Sequence, residues 1–368
     1  MTQNKSNLLQ VSFLIACGSA LQLAEAFIPF PLPGMRIGLA NISTVLGLIL
    51  FGPAAAFEIA LFRPIITSLT NGTFLMPGLY FSFFGSITSF AVMAVIFSAT
   101  KRNKIFSLAG ISVMGAITHN ITQLLLARYW LIPHAGVLAF APILVITGLI
   151  GGYLVGWASE YIYKKINEAK LSFGKLAPSG ARSVKKGTLI LADKLKILAA
   201  FGMVISTIFL KTPYAYVVLL FVVLILIIAS GQQVSLIFKR VFTLWAVIIF
   251  SFFLPVVFTQ GGKVLLYLPF IKVTVPGVIE GIIFVLRLVF LIMISIWIGV
   301  TRPEKLSQEL EWLLSPLKIF KIPVDRIPRL TSLSLSFLPL IWERLNKVKP
   351  KKLTLVLDAL VGLFIGLE

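Results

Sequence analysis

A basic, apolar-poor segment from Tyr163 to Lys196 divides a chain that otherwise consists largely of long apolar runs. The segment carries nine lysines and arginines against two acidic residues, Glu168 and Asp193. The hydrocarbon core of a bilayer does not hold such a density of charge, whereas the runs on either side are long enough to span it. The positive-inside rule therefore places the segment in the cytoplasm, and we expect a separate membrane bundle on each side of it.

The composition supports an all-α integral membrane protein. Hydrophobic residues make up 58% of the 368 residues and charged residues 12%, against about 25% charged in soluble domains. The apolar runs are continuous, whereas barrel strands alternate, so helices are expected. The net charge of +20 falls mainly in short loops, where it orients the chain and contacts membrane lipids. We therefore expect no nucleic acid as a partner.

Several kinds of chemistry are excluded by residue counts. The chain has one cysteine, Cys17, and two histidines, which excludes a disulfide framework and a metal site of several cysteines or histidines. It has only three aspartates, too few for the paired-aspartate Mg²⁺ site that binds a prenyl diphosphate. There is also no phosphate-binding loop. We expect no metal or cofactor, and no catalysis by this chain alone.

The first half of the sequence contains six candidate membrane spans. They lie near residues 8–28, 37–51, 53–70, 79–99, 106–130 and 136–162. With the N-terminus in the cytoplasm, the cluster of Lys101, Arg102 and Lys104 after the fourth span also falls in the cytoplasm. The basic linker after the sixth span does too, so both clusters follow the charge rule.

The second half contains about five further spans, which gives about eleven in two bundles of six and five. They lie near residues 195–210, 213–230, 241–258, 278–300 and 353–367. Residues 259–277 are expected to form an external loop. The sequence thus predicts a first domain at 1–165, a cytoplasmic linker at 166–192 and a second domain at 193–368.

Within the second domain, residues 301–350 form a charged cytoplasmic segment with two amphipathic helices. A capping box of Thr301 and Glu304, with Pro303 in the first turn, predicts where the first helix begins. Leucines from Leu306 onward follow helical spacing, and the acidic residues Glu304, Glu309 and Glu311 are expected largely on the opposite face. The prolines 316, 323 and 328 separate it from a second helix. The pair is either a belt on the lipid surface or a docking platform for another subunit.

Polar residues inside the apolar spans of the first half are costly there and indicate a binding cavity. Residues that could bind a small anionic or hydrogen-bonding solute are Arg36, Asn41, Arg63, His119, Asn120 and Gln123. The alternative is internal packing, in which Glu58 and Arg63 neutralise charges within the bundle and the His119-Asn120 pair bonds neighbouring backbone. In the first span, Ala16, Ala20 and Ala24 repeat every four residues, a spacing that permits close helix packing. This small-residue face lies either within its own bundle or between the two halves.

Three motifs of the first half resemble the Gx transporter family, the six-span substrate-binding (S) components of energy-coupling factor vitamin transporters. The motifs are Pro33-Gly-Met-Arg-Ile-Gly-Leu-Ala-Asn41, Phe81-Ser-Phe-Phe-Gly-Ser86, and Gly110 to Asn120 with Gln123. The resemblance covers about residues 8–165, and members of the family are often labelled heptaprenyl diphosphate synthase component I. The second half looks like the transmembrane coupling (T) component of the same transporters. This resemblance rests on Asp193-Lys-Leu-Lys196, Thr301-Arg-Pro-Glu-Lys-Leu306 through Leu317, and Ser336 to Glu343.

The resemblance implies a transporter subunit of the plasma (inner) membrane. An S component binds a vitamin-like solute from outside, docks on the T component through its alanine face, and topples in the membrane to release the solute. Two cytoplasmic ATPases drive this through the coupling helices of the T component. The corresponding residues here are Arg302, Glu304, Arg329, Glu343 and Arg344. The Ala-Arg-Gly signatures of such coupling helices are absent, and Arg329 and Arg344 are the candidates to replace them.

Three functions remain open at this point. The first is a fused S–T transporter subunit for a small vitamin-like or isoprenoid- or quinone-related solute, with separate ATPase partners. The second is a non-catalytic membrane accessory subunit that aids a soluble prenyl synthase of isoprenoid or quinone biosynthesis. The third is a structural scaffold.

Overall fold

The computed structural model describes residues 2–25, 37–103, 106–168, 189–267, 269, 272–320, 322–347 and 362. This part of the chain is nearly all α-helical. Its helices are α1 (Thr2–Glu25), α2 (Asn41–Leu50), α3 (Pro53–Thr70), α4 (Pro77–Asn103), α5 (Leu108–Leu126), α6 (Ala141–Glu168), α7 (Leu191–Phe209), α8 (Pro213–Ala229), α9 (Ser235–Thr243), α10 (Trp245–Phe258), α11 (Val275–Ile298), α12 (Pro303–Leu313) and α13 (Ile327–Lys347). We refer to α1–α6 as the first half and to α7–α13 as the second half.

Four of the described helical segments are long and apolar enough to cross a membrane by themselves. They lie at Leu8–Glu25, Pro77–Thr100, Ala135–Glu168 and Val275–Ile298. A fifth follows if α9 and α10, which meet at an angle of 65°, are counted as one broken span. The predicted total of about eleven spans stays a prediction. The last of them, 353–367, lies outside the described residues except for Gly362.

The fifth and sixth predicted spans each contain a turn that is not α-helical. The fifth ends in a π-helical turn at Ala127–Leu131, followed by a 3₁₀ turn at Ala135–Phe140 that leads into α6. Pro133 lies between the two turns and has no N–H with which to continue the helix. The predicted loop 259–277 contains a small antiparallel hairpin of β1 (Val264–Tyr267) and β2 (Lys272–Thr274).

We refer to residues 301–350 as the coupling segment. It contains the two predicted helices, α12 and α13, joined by 3₁₀ turns at Ser315–Phe320 and Val324–Arg326. Pro303 lies in the first turn of α12, as predicted. The capping box is wrong, because the residue that caps α12 is Arg302 and no side chain bonds the helix end. The Thr301 hydroxyl instead accepts a hydrogen bond from Lys196 Nζ at 2.9 Å.

The expected position of Glu309 on the outer face of α12 is also wrong. Its side chain is fully buried, because it follows Leu306 by three residues and so lies on the same helix face. Both of its carboxylate oxygens are buried without a hydrogen-bond partner. The exposed Glu304 follows the prediction.

Helices α5 and α6 pack backbone against backbone along a glycine face of Gly148, Gly152 and Gly156. A Cβ atom at position 152 would come within 2.6 Å of Val113 Cα, and one at position 156 within 2.5 Å of Ala109 Cα. The spacing of four residues places all three glycines on one side of α6. Only glycine permits this approach, so the two helices form one tightly packed pair.

Candidate functional site

The centre of the candidate site in the first half is Arg63 of α3, whose side chain is buried. Its Nη2 atom donates hydrogen bonds to Asn41 Oδ1 at 3.0 Å and to Ser86 Oγ at 2.7 Å. Gly18 of α1 makes room for the arginine, since a Cβ atom there would come within 2.7 Å of Arg63 Cδ. Four helices, α1 to α4, therefore contribute to the surroundings of one guanidinium group.

His119 and Gln123 lie one helical turn apart on α5 and contact each other. His119 Nε2 and Gln123 Nε2 are 2.9 Å apart. The imidazole ring packs on Gly85 of α4, where a Cβ atom would come within 2.7 Å of His119 Cε1. Because Gly85 precedes Ser86, the same turn of α4 contacts both the histidine and Arg63. The structure thus brings Asn41, Arg63, His119 and Gln123 to one region.

One of the remaining two predicted binding residues, Asn120, does not join this group in the structure. Asn120 faces α6, where its Nδ2 atom donates to the Leu144 carbonyl at 2.8 Å. Arg36 lies outside the described residues. Close to that segment, the buried carboxylate of Glu25 accepts a hydrogen bond from the backbone N–H of Gly38 at 2.6 Å. Gly38 has a φ of +88°, which a residue with a side chain adopts only with strain.

A narrow apolar cleft adjoins Arg63. It lies between α1, α2 and α6 and is lined by Leu14, Cys17, Leu21, Ile42, Ser43, Leu46 and Ile162. It connects to the polar group through Ser43, since a Cβ atom on Gly18 would meet both the Ser43 hydroxyl and Arg63. The cleft has room for roughly one water molecule.

The two halves dock on each other along α1 and α13. Ser334 Oγ donates to the backbone carbonyl of Ser12 at 3.0 Å, and the rings of Phe13 and Phe337 meet edge to face at 5.5 Å. Helical spacing places Ala16, Ala20 and Ala24 on the side of α1 that carries Phe13. Ala16 and Ala20 are fully buried and Ala24 is partly buried.

An ion pair across this interface was not predicted from the sequence. Glu58 near the start of α3 pairs with Arg326, which lies in the 3₁₀ turn just before α13. The packing alternative had assigned Glu58 a role within its own bundle. The cost of an acid inside an apolar run was the signal that pointed to a partner, but its location in the other half required the structure.

Two turns of the first half contact opposite ends of one predicted span of the second half. The Gly72 carbonyl, in the turn after α3, accepts from Arg240 Nη1 of α9 at 2.6 Å. His134 Nε2, in the turn after α5, lies 3.1 Å from Thr259 Oγ1, just beyond α10. Helices α3 to α6 are joined by short connections and alternate in direction, so both turns lie at the same end of the first half. That end therefore faces the side of the α9–α10 pair.

Four of the five predicted coupling residues lie on the surface of the second half. Arg302, Glu304, Arg329 and Glu343 are exposed. Nothing is described for the side chain of Arg344. The adjoining α12 is fixed to α7 by an ion pair between Lys305 Nζ and Asp193 Oδ1 at 2.6 Å.

The comparison with family models divides the chain at the basic linker. The model for heptaprenyl diphosphate synthase component I matches residues 14–162. The model for cobalt transport protein matches residues 190–350. Among the described residues, no group of three or more histidine, cysteine, aspartate or glutamate side chains is placed to hold a metal ion.

Curated relatives are energy-coupling factor transporter transmembrane proteins. The protein from Staphylococcus aureus is 28% identical over 159 residues, which is 43% of this chain and 59% of the relative. The protein from Lactobacillus helveticus is 32% identical over 139 residues, covering 38% and 50%. That from Streptococcus equi subsp. equi is 33% identical over 159 residues, covering 43% and 59%.

The chain spans about half to three-fifths of the length of these relatives. Together with the two family models, they confirm the resemblance of a first half similar to heptaprenyl diphosphate synthase component I and a second half similar to the transmembrane component of energy-coupling factor transporters.

Proposed function

We propose that this chain is a membrane transporter subunit in which a solute-capturing first half and an energy-coupling second half are fused. The observation that carries the proposal is the docking of α1 along α13, the second amphipathic helix of the coupling segment. The contacts of Ser334 with Ser12 and of Phe13 with Phe337 join these helices. Helix α1 both docks on the coupling segment and borders the polar cluster around Arg63. It therefore connects the proposed binding site to the coupling segment.

The orientation of the first half supports the release step of such a cycle. Its turn at Gly72 and its turn at His134 lie along the length of the α9–α10 pair. A bundle standing upright beside that pair would contact it with one end at one depth only. The observed contacts fit a first half that leans onto the second, and the closed cleft beside Arg63 fits a state that has no room for cargo.

The chemistry of the cluster suggests the class of solute. A buried guanidinium, an amide and a hydroxyl suit an anionic or strongly hydrogen-bonding group. The apolar side chains that line the cleft beside them suit an attached hydrophobic part in a solute-bound state in which the cleft is wider. A small amphipathic molecule with a vitamin-like or isoprenoid- or quinone-related structure meets both requirements. Arg63, Asn41, His119 and Gln123 are the proposed binding residues.

The experiment is purification of the full chain from its native membrane, followed by identification of the bound proteins and small molecules by mass spectrometry. Transport predicts that cytoplasmic ATPase subunits and a specific small molecule purify with it. Purified complex in proteoliposomes should then take up that molecule only when ATP is supplied on the side of the coupling segment. Absence of both ATPase subunits and uptake would contradict the proposal.

A second candidate function follows from the match of residues 14–162 to heptaprenyl diphosphate synthase component I. In that case the chain would be an accessory membrane subunit that aids a soluble prenyl synthase. The same purification distinguishes the two, because this alternative predicts a prenyltransferase and no ATPase among the bound proteins.

A further inference from the structure

Arg287 is a charged residue buried within α11, one of the four helices able to span a membrane. Its side chain is 3% exposed. A charge inside an apolar helix is costly and persists only where partners satisfy its donors. Its hydrogen bonds run from Nε to Tyr216 Oη at 2.8 Å, from Nη1 to the carbonyls of Trp130 at 2.6 Å and Leu131 at 3.1 Å, and from Nη2 to the Leu210 carbonyl at 3.4 Å.

Two of these acceptors, the carbonyls of Trp130 and Leu131, belong to the first half of the chain. They lie at the end of the π-helical turn after α5. The N–H of His134, four residues after Trp130, donates to the Ile132 carbonyl, and the N–H of Gly136, five residues after Leu131, donates to His134 Nδ1. Free carbonyls at a helix end that is buried require a donor from elsewhere, and Arg287 provides it.

The absence of a carboxylate partner determines how strong this contact is. Among the described residues, the ion pairs do not include Arg287. Charge-assisted hydrogen bonds to neutral carbonyls are stronger than those between neutral groups, whereas a carboxylate in the same place would form a buried ion pair that is harder to break. The hydrogen bonds from Arg287 to the two carbonyls therefore stabilise the contact between the halves but can be broken more easily than a buried ion pair.

We infer that Arg287, with the carbonyls of Trp130 and Leu131, forms a latch between the two halves, which we name the carbonyl latch. In the docked state Arg287 binds both carbonyls of the first half. When the first half moves away, the arginine keeps its partners in the second half, Tyr216 and the Leu210 carbonyl. Its charge therefore stays solvated by the protein in both states. Arg287 is a positioning residue, and this role rests on the proposed function.

The test measures the separation of the two halves in the full chain by double electron–electron resonance. Spin labels are attached to cysteines at Val95 of α4 and Tyr214 of α8, both of which are strongly exposed. The native Cys17, which is buried, is replaced by alanine. The variants are Arg287→Met, which removes the donors, and Arg287→Lys, which keeps the charge but loses the forked geometry. Tyr216→Phe is the matched control, because it removes a partner of Arg287 within the second half only.

The unaltered chain and Tyr216→Phe should each give one docked distance. Arg287→Met should add a longer distance, with the docking equilibrium shifted roughly 10-fold or more toward separation. Arg287→Lys should give a smaller shift in the same direction.

Three results would overturn the carbonyl latch. The first is a single docked distance in both arginine variants. The second is an equal effect of Tyr216→Phe, and the third is loss of folding in both arginine variants, since either of these assigns Arg287 to the internal packing of the second half. The measurement uses neither solute nor ATPase, so its failure would leave the transport proposal standing. Failure of ATP-dependent uptake would contradict the transport proposal and leave the spin-label distances, and with them the contact made by Arg287, unaffected.

Discussion

Glu58 of α3 and Arg326, just before α13, form an ion pair that joins the start of a first-half helix to the coupling segment of the second half. The side chain of Glu58 is 14% exposed and that of Arg326 is 29% exposed, so solvent screens the pair only in part. Both residues lie beside the α1–α13 contact. The pair therefore adds a second contact between the first half and the coupling segment.

Removing either charge should weaken this contact. We expect Glu58→Gln and Arg326→Gln each to cost about 1–3 kcal/mol, because the remaining charge loses its partner and is only partly exposed to water. Thermal unfolding of the purified full chain in detergent measures the loss. The double reversal Glu58→Arg with Arg326→Glu should recover most of the stability. If the reversed pair were no more stable than the single variants, the ion pair would not be the cause.

The alanine face of α1 should tolerate no added volume where it is buried. Ala20→Leu adds three carbon atoms at a position with no exposed surface, on the side of α1 that faces α13. Ala91→Leu, at an exposed position of α4, is the control. Spin-label distances between Val95 and Tyr214 should lengthen with Ala20→Leu and stay unchanged with Ala91→Leu. Unchanged distances in both would place the face within the bundle of the first half.

Solute capture should depend on Arg63 and not on Asn120. Arg63→Met removes the donor that joins Asn41 and Ser86, so we expect the co-purified small molecule to fall by roughly 10-fold or more. Asn120→Ala leaves the cluster intact, because Asn120 bonds the backbone of α6. Quantitative mass spectrometry of the bound fraction compares the two. Equal losses would mean that the solute lies elsewhere in the first half.

The stability of the coupling segment should depend on pH through Glu309. Burial raises the pKa of Glu309 to about 7, with the carboxylate of Asp193 adding to the rise and Lys196 and Lys305 opposing it. The folded state thus holds a proton that the unfolded state loses near the ordinary glutamate pKa of about 4.3. Stability therefore falls as pH rises between these values.

Glu309→Gln should remove that part of the pH dependence and raise the melting temperature at pH 8. The measurement is a series of thermal unfolding curves between pH 5 and pH 8 for both proteins. Glu304→Gln, at an exposed position of the same helix, should leave the pH profile unchanged. Parallel profiles for Glu309→Gln and the unaltered chain would show that Glu309 is already ionised in the folded state.

The glycine face of α6 gives a prediction with an internal control. Gly152→Ala forces a Cβ atom against Val113 Cα and should cost about 1–3 kcal/mol. Gly202→Ala, in α7, meets no atom within 4 Å and should be neutral or stabilising by about 0.5–1 kcal/mol. Unfolding temperatures of the two variants test this directly. A similar change for both would mean that α5 and α6 separate easily.

The sequence predicts most helices well because apolar runs and prolines define them locally. The span 53–70 agrees with α3 at both ends, and Pro303 marks the start of α12. The π-turn after α5 and the bend between α9 and α10 were not predicted, since each depends on packing against other helices. The charge of Glu309 predicts the outer face of α12, whereas its spacing of three residues from Leu306 puts it on the buried face.

The candidate site was predictable only in part. The cost of polar residues in apolar spans identified Arg63 and His119, but not their arrangement around Gly85 and Ser86. Gly85 and Ser86 belong to the motif Phe81 to Ser86, and this motif was the sequence signal that could have indicated their part in the site. Contacts between the halves, such as Glu58 with Arg326, join residues far apart in the chain. No local pattern identifies their partners.

Because the docked halves belong to one polypeptide, their association is unimolecular. A covalent connection confines the first half to an effective concentration that is on the order of millimolar near the second. An interface of modest intrinsic affinity then stays populated without a large buried area. Such an interface can open and close on every turnover without the two parts diffusing apart in the membrane.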